Sequence, residues 1–204
     1  MRHIGRILWV ALALSVLVQP ATAQDRRFAV RLGVVASSPT SDTVVGGVSA
    51  ELGTAFGGEF NFEWYINKHL GLEASVAFAT DTDIESSDDT TVVSGISVLP
   101  ATIGLNAHVI RSENVDWSFG LVAGVIRWGD FNFQSGGGSG SNKIDSSGVF
   151  GAQTSIDIAI GSNDRWGVNI GIKYLKAELE PEDPAFPAVK VDPLHLRAMA
   201  VFRF

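Results

Sequence analysis

The chain has 204 residues, of which 46% are hydrophobic and 18% are charged, and a formal net charge of -7. This length suits a single domain, and the apolar fraction excludes a disordered polymer. The absence of Cys excludes a disulfide scaffold and a Cys-ligated zinc site, and an acidic chain without a basic cluster excludes binding to nucleic acid through its phosphates.

The first 23 residues have the order of an export signal. A basic start with two Arg is followed by an apolar run over residues 7–18, and small residues ending at Ala23 form a cleavage site. The run is shorter than the about 20 apolar residues that a membrane anchor needs. We therefore predict a cleaved signal peptide over residues 1–23 and one domain over residues 24–204.

The mature chain alternates apolar and polar residues with a period of two. It contains no apolar stretch of roughly 18 residues, which excludes a helical membrane protein. Because successive side chains of a strand point to opposite faces, each alternating segment predicts a β-strand. In chain order the segments are residues 28–34, 59–66, 70–78, 99–109, 117–125, 150–160, 166–174 and 194–204.

The connections between these segments alternate in length. Three are short, at residues 67–69, 111–116 and 161–165, and four are long, near residues 37–56, 80–97, 128–148 and 176–192. An even number of strands with tight turns at one end and long loops at the other is typical of bacterial outer-membrane barrels. We predict an all-β fold, an eight-stranded antiparallel up-and-down transmembrane β-barrel, with the termini and short turns in the periplasm.

Two long connections carry incomplete ligand motifs. The segment starting at Asp81 opens like a calcium loop, but Ser86 and Val92 stand where Gly and Glu are needed. The glycine-rich run within residues 134–148 lacks the Gly-Lys-Ser/Thr ending of a phosphate-binding loop. We predict exposed loops here, with no metal and no cofactor.

Charge on the polar face indicates which face of the barrel points inward. A soluble ligand-binding barrel has its apolar face inside, whereas a membrane barrel has it outside. Four basic and four acidic side chains on the polar face suit a narrow, ion-paired lumen better than a solvated surface. The predicted lumen residues are Arg31, Glu59, Glu63, Glu73, Asp157, Lys173, Arg197 and Arg203.

Aromatic residues recur at one height of the apolar face. Trp, Tyr and Phe favour the interface between membrane and water, so a ring of them at the short-turn end predicts an aromatic girdle. A β-sandwich core is the alternative interpretation, but it does not explain the matching heights. The predicted girdle residues are Phe28, Trp64, Trp117, Trp166 and Phe204.

Four short motifs occur in order along the mature chain. They are Val30-Arg31-Leu32-Gly33 followed by Pro39, Leu99-Pro100-Ala101-Thr102, Arg165-Trp166-Gly167-Val168-Asn169, and Lys190-Val191-Asp192-Pro193 leading to Arg203-Phe204. Together they resemble the OmpW family of outer-membrane proteins. The resemblance implies an eight-stranded barrel that helps small hydrophobic molecules cross the outer membrane, with an apolar interior near its outer half.

The lumen predicted from the alternation is instead strongly polar, and a charged, plugged interior is similar to barrels of the OmpA or OmpX type. Two hypotheses about function therefore remain. In the first, the barrel assists passage of small-molecule cargo across the outer membrane. In the second, it is a plugged membrane anchor or a platform for surface loops. The expected partners are outer-membrane lipid, lipopolysaccharide and the barrel assembly machinery, which would recognise the terminal Phe204.

Some eight-stranded barrels are enzymes that act on lipid, which requires a nucleophile beside a base. The mature chain has His69, His108 and His195 as candidate bases, and the sequence around His195 supplies no Ser. We predict that the protein is not an enzyme.

Overall fold

The computed structural model describes residues 26–40, 43–45, 48–86, 91–129, 131–135, 138–142, 146–161, 165–179 and 189–204. The predicted signal peptide, residues 1–23, lies outside these ranges. In the described parts of the chain, no helix is long and apolar enough to cross a membrane. Backbone pairing in these ranges is almost entirely between strands.

The strands number fourteen in the described residues. They are β1 (Phe28–Pro39), β2 (Thr43–Val45), β3 (Val48–Leu52), β4 (Ala55–Tyr65), β5 (Leu70–Ser86), β6 (Thr91–Arg111), β7 (Val115–Trp128), β8 (Phe131–Ser135), β9 (Gly138–Asn142), β10 (Ser147–Ile160), β11 (Trp166–Lys176), β12 (Glu178–Leu179), β13 (Val189–Lys190) and β14 (Pro193–Arg203).

Eight of these strands close into an antiparallel barrel. Going round the wall, β1, β4, β5, β6, β7, β10, β11 and β14 pair in that order, and β14 pairs back onto β1. The prediction of an eight-stranded up-and-down barrel is therefore confirmed. Closure gives every wall strand a hydrogen-bonded neighbour on both sides, as a bilayer demands.

The two ends of the barrel differ. At one end, the turn end, lie the three short turns and both ends of the barrel chain, where the N–H groups of Arg27 and Phe28 donate to the carbonyl of Phe204. At the other, the loop end, strands run beyond the predicted segments: β5 and β6 have 17 and 21 residues. About 9–11 residues suffice to cross a bilayer, so the wall extends past it at the loop end.

The predicted long loops at residues 37–56, 80–97, 128–148 and 176–192 were therefore wrong in part. Strand hairpins β2–β3 and β8–β9 continue the sheet, and the glycine-rich run near residue 138 lies in β9. The backbone after Asp81 belongs to β5 rather than to a loop. Alternation does not reveal these extensions, because outside the bilayer a strand need not be apolar on one face.

The predicted segment 99–109 would place Pro100 near the start of a strand, but Pro100 lies within β6. On one side Pro100 pairs with Ile126 of β7. On the other side β6 faces β5, and no residues pair between the Val76–Ala101 pair and the Ala79–Val98 pair. The register of β5 and β6 then shifts twice beyond Ala79. Proline has no N–H to donate, so one seam of the wall is locally weakened.

Candidate functional site

The inward face of the barrel collects the ionisable side chains. Each of the predicted lumen residues lies on an inward position of a wall strand and is almost fully buried. Pairing of neighbouring strands sets their heights along the axis. The eight residues are Arg31, Glu59, Glu63, Glu73, Asp157, Lys173, Arg197 and Arg203.

Arg31 is the centre of a first set of contacts, which we call the lower charge cluster and which comprises Arg31, Glu63, Asp157 and Arg203. Its guanidinium donates to Glu63 at 2.7 Å and to Asp157 at 2.8 Å. Arg203 approaches the same Asp157 carboxylate at 3.4 Å. Two basic and two acidic groups from β1, β4, β10 and β14 thus neutralise one another across the lumen.

Towards the turn end, the cluster continues through His108. Its Nδ1 lies 2.6 Å from Asp116 and its Nε2 lies 3.2 Å from Glu63. Arg111 stacks on the ring of Tyr65: its guanidinium carbon, Cζ, lies 3.6 Å from the ring centroid. This cation–π pair and the His108 contacts cover the lumen at the turn end.

Four residues nearer the middle form a second set, the upper charge cluster: Glu59, Glu73, Lys173 and Arg197. Glu59 accepts from both Lys173 and Arg197 at 3.0 Å, and Arg197 lies 3.5 Å from Glu73. Lys173 also donates to the hydroxyl of Ser75 at 2.8 Å. The charges of this cluster again cancel.

Amide side chains join the two clusters, and sequence analysis did not single them out. Asn106 donates to Glu63 at 2.7 Å and to Glu73 at 3.0 Å, and it accepts from Gln153 at 2.8 Å. Asn61 accepts from Arg31, and Asn169 donates to Asp157. The sequence did carry a signal for these amides, because the alternation places them at inward positions. An amide that faces a lumen of charged side chains can hydrogen-bond to two of them at once.

Towards the loop end the inward side chains become apolar. We call this group the loop-end apolar cluster; all its members are buried and they pack against one another. They are Val98, Val122, Ile126, Trp128, Val149, Leu175, Ala177 and Val191. The expectation of a strongly polar lumen throughout was therefore wrong, because it counted the charges and not the uncharged inward positions between and beyond them.

The wall opposite this cluster carries small side chains. On β1, β4 and β5 the inward positions towards the loop end are Val35, Ser37, Ala55, Ala77 and Ala79, all buried. Bulky residues on β6, β7, β10 and β11 thus face short ones across the lumen. We call this apolar part of the lumen, which the buried side chains of the two walls fill, the loop-end chamber; the upper charge cluster lies beneath it.

The outward face is apolar and suited to lipid. Many large side chains are exposed on it, among them Leu121 at 74% and Ile103 at 63%. The five residues predicted as a girdle lie on this face near the turn end. The ring centroid of Phe204 lies 5.6 Å from that of Phe28 and 5.8 Å from that of Phe202. The ring centroids of Trp166 and Phe202 are 4.7 Å apart.

The remaining candidates for chemistry are separated. His195 faces the lumen near the loop end and His108 faces it near the turn end, whereas His69 is exposed in a turn. Within the described ranges, His, Asp and Glu do not form a group of three or more that could hold a metal ion.

A closed eight-stranded wall with an apolar outside and a charged inside defines the class of small outer-membrane β-barrels. The chain belongs to the family described as "Outer membrane protein beta-barrel domain", whose model matches residues 9–204. Comparison with curated protein sequences gave no match. The protein is therefore a β-barrel of the bacterial outer membrane. Members of this family are small barrels that are generally not enzymes.

Three solved structures share the fold. OprG from Pseudomonas aeruginosa is 17% identical, with a TM-score of 0.69 over 88% of this chain and 96% of its own. AlkL, solved in lipid bilayers, is 14% identical, with a TM-score of 0.58 over 91% and 95%. Neisserial surface protein A is 12% identical, with a TM-score of 0.55 over 87% and 97%.

Proposed function

We propose that this barrel assists passage of small molecules across the outer membrane in the manner implied by its resemblance to the OmpW family. The loop end would face the outside and the turn end the periplasm. The observation that carries the proposal is the change of lumen lining along the axis. Apolar side chains line the loop-end chamber, and ion-paired side chains lie beneath it. Such a chamber suits uncharged, largely apolar cargo.

A straight route through the barrel is not part of the proposal. Eight-stranded barrels have interiors that side chains nearly fill. Here Glu59, Glu63, Asn61 and Asn169 are 0–1% exposed, and the charges around them are matched. Moving a molecule through this region would separate buried ion pairs, so cargo would leave the chamber sideways into the bilayer.

The seam beside Pro100 supports a sideways route. The β5–β6 ladder lacks pairs there, and the outer surface next to it forms an apolar groove of about 450 Å³ between Phe60 and Val125. In the stretch without pairs, next to the groove, Ala77 and Pro100 are inward and Phe78 and Leu99 are outward. Local separation of these strands would connect the chamber with lipid.

The test is uptake of an apolar fluorescent naphthylamine dye by bacteria that produce the barrel. Ile126→Trp adds bulk inside the chamber, where Ile126 is buried, and Ile158→Trp adds the same bulk on the lipid-facing surface as the matched control. Overfilling a core costs about 1–3 kcal/mol, so uptake is compared at equal amounts of folded protein. We expect Ile126→Trp to slow uptake several-fold and Ile158→Trp to leave it unchanged. Equal uptake by wild type, both variants and cells without the barrel would contradict assisted passage.

The second candidate function is a plugged anchor or surface platform, and the continuous ion-paired network favours it. In this role, the charged side chains of the lumen only stabilise the folded barrel. Arg197→Ala would then lower the free energy of unfolding and leave dye uptake at the level of cells without the barrel. Under assisted passage, the same substitution alters the chamber floor and changes the uptake rate.

We also propose that Phe204 is the group that the barrel assembly machinery recognises, and that lipid and lipopolysaccharide surround the wall. Phe204 is half exposed on the lipid face, at the seam between the first and last strands. Removing Phe204 should lower the amount of heat-modifiable, folded barrel in the outer membrane. Unchanged assembly would contradict this role.

A further inference from the structure

Two basic side chains lie on the outward face towards the loop end. Arg127 of β7 and Lys176 of β11 each come ten residues after a predicted girdle residue of the same strand, Trp117 and Trp166. An even separation keeps both residues of each pair on one face, and Arg127 and Lys176 are exposed. Ten residues of a strand tilted by about 40° rise about 25 Å, which is the height of the apolar band of a membrane barrel. Arg127 and Lys176 therefore lie at the bilayer boundary opposite the girdle.

The positive charge at this boundary lies on one side of the wall. Ten residues from the other three predicted girdle residues, the chain carries uncharged side chains: Ser38 on β1, Thr54 just before β4 and Leu194 on β14. By contrast, β7 and β11 are separated by one strand, β10, which pairs with both of them. Arg127 and Lys176 therefore flank a single strand of the wall.

A groove of about 460 Å³ opens on the outer surface over this strand. In its middle β10 carries no side chain, because Gly148 lies there, and a Cβ at Gly148 would meet no atom within 4 Å. Arg127 borders the groove, one residue beyond the Ile126–Ser147 pair of β7 and β10. We call this space the boundary groove, and its exposed lining residues are Ser146, Gly148, Phe150, Lys176, Glu178 and Lys190.

Both carboxylates of the boundary groove have contacts within the protein. Glu178 lies directly opposite Lys190 in the β12–β13 pair, where opposite charges attract. Asp192 also lines the groove, and its carboxylate accepts from the hydroxyl of Tyr174 at 3.3 Å and from the N–H of Ala177 at 3.2 Å. The two basic side chains that flank β10 are therefore left to bind an anion.

We propose that the boundary groove binds a phosphorylated glycolipid of the outer leaflet, whose phosphates contact Lys176 and Arg127. Neither side chain forms an ion pair with another described residue, and phosphate forms strong, charge-assisted hydrogen bonds with Lys and Arg. They lie on either side of β10, so one ligand with two phosphates contacts both. The volume of the groove is within the range of about 300–1,000 Å³ that is usual for ligand sites.

The rest of the groove suits the other parts of such a lipid. Phe150 is 63% exposed on the bilayer side of Gly148, where the acyl chains would lie. The hydroxyl of Ser146 and the carboxylate of Glu178 offer hydrogen-bond partners for sugar hydroxyls. The inference rests on the proposed orientation, with the loop end outside, and not on assisted passage.

The experiment measures which lipids the barrel retains in detergent micelles, by native mass spectrometry. The probes are lipid A with both phosphates, lipid A without phosphates, and phosphatidylglycerol. We expect one lipid A to be retained at a concentration about tenfold below that of the other two probes, because each basic side chain beside an anionic lipid contributes roughly fivefold. Inorganic phosphate at the same concentration should not displace lipid A, because it has no acyl chain to contact Phe150.

Two variants test the groove itself. Arg127→Gln with Lys176→Gln removes its free positive charge and should weaken retention of lipid A about tenfold. Gly148→Leu keeps every charge and occupies the groove without a clash at Cβ, and it should weaken retention as well. Arg27→Gln with Lys68→Gln is the matched control, because it removes the same two charges from exposed positions at the turn end. Each variant is first checked for folding by heat-modifiable mobility.

Equal retention of lipid A and phosphatidylglycerol by the wild-type barrel would overturn the inference. A preference for lipid A that survives in either groove variant would also overturn it, as would displacement by inorganic phosphate. An equal loss in the turn-end control would indicate general attraction between charges and no site. Dye uptake is measured separately, so each of these outcomes would leave assisted passage standing.

Discussion

At the scale of single residues, Arg31 has contacts that reach across the lumen. Its guanidinium donates to Asn61 and Glu63 on the adjacent strand β4 and to Asp157 on β10. Side-chain exposure of Arg31 is 2%. Removing one partner of a buried ion pair leaves the other charges uncompensated, whereas removing all of them can be nearly neutral.

Arg31→Ala should therefore lower the free energy of unfolding by about 3–5 kcal/mol, measured by urea unfolding of the barrel in lipid vesicles. Arg127→Ala, at an exposed outward position of β7, is the control and should change stability by less than about 0.5 kcal/mol. Combining Arg31→Met with Glu63→Gln removes one basic and one acidic group, leaves Asp157 beside Arg203, and should recover much of the loss. Wild-type stability of Arg31→Ala would show that the lower charge cluster contributes nothing.

At the scale of elements, the β5–β6 pair is the seam in which register shifts and proline coincide. The other wall ladders are continuous over their described pairs, except for one shift near His108 between β6 and β7. The same seam borders the apolar groove on the lipid face. Local opening is easiest where few backbone hydrogen bonds must break.

Pro100→Val restores an N–H that can donate to β5, and Val suits a strand. We expect dye uptake to fall several-fold while the free energy of unfolding stays equal or rises by about 0.5–1.5 kcal/mol. Pro193→Val, at the first residue of β14, is the matched control and should leave uptake unchanged. Undiminished uptake by a folded Pro100→Val barrel would argue against a sideways route through this seam.

At the scale of the whole molecule, the barrel combines a sealed half with an apolar half. The half towards the turn end is crossed by ion pairs and amides from all eight wall strands, and the loop-end half is lined by the apolar cluster and short side chains. A closed wall gives each half the same diameter, so the difference between them depends on side chains alone.

The refolded mature barrel should be silent in a planar bilayer, because ions have no open path along the axis. Arg197→Ala together with Glu59→Ala removes both members of one ion pair of the upper charge cluster and should still give no current, because the lower charge cluster and the Arg111–Tyr65 pair remain across the lumen. A wide porin in the same bilayer is the positive control. Large, stable steps from the wild-type barrel would contradict a sealed turn-end half.

Sequence by itself determined the number of wall strands, their order, the short turns and which side chains face inward. It could do so because the bilayer imposes a strict period of two: an outward residue must be apolar, and a charged residue such as Arg31 or Glu63 must point into the lumen. Alternation is local, so it is readable without knowing which strands are neighbours.

Only the tertiary structure decided which charges meet and where the lumen turns apolar. Asp157 contacts Arg31, which is distant in sequence, and His195 lacks partners among the described residues although three charged residues lie nearby. Val122, Ile126 and Leu175 become one cluster only when the wall closes and brings their strands to the same height. Register between strands and closure of the barrel set these heights, and neither is encoded in the alternation of a single strand.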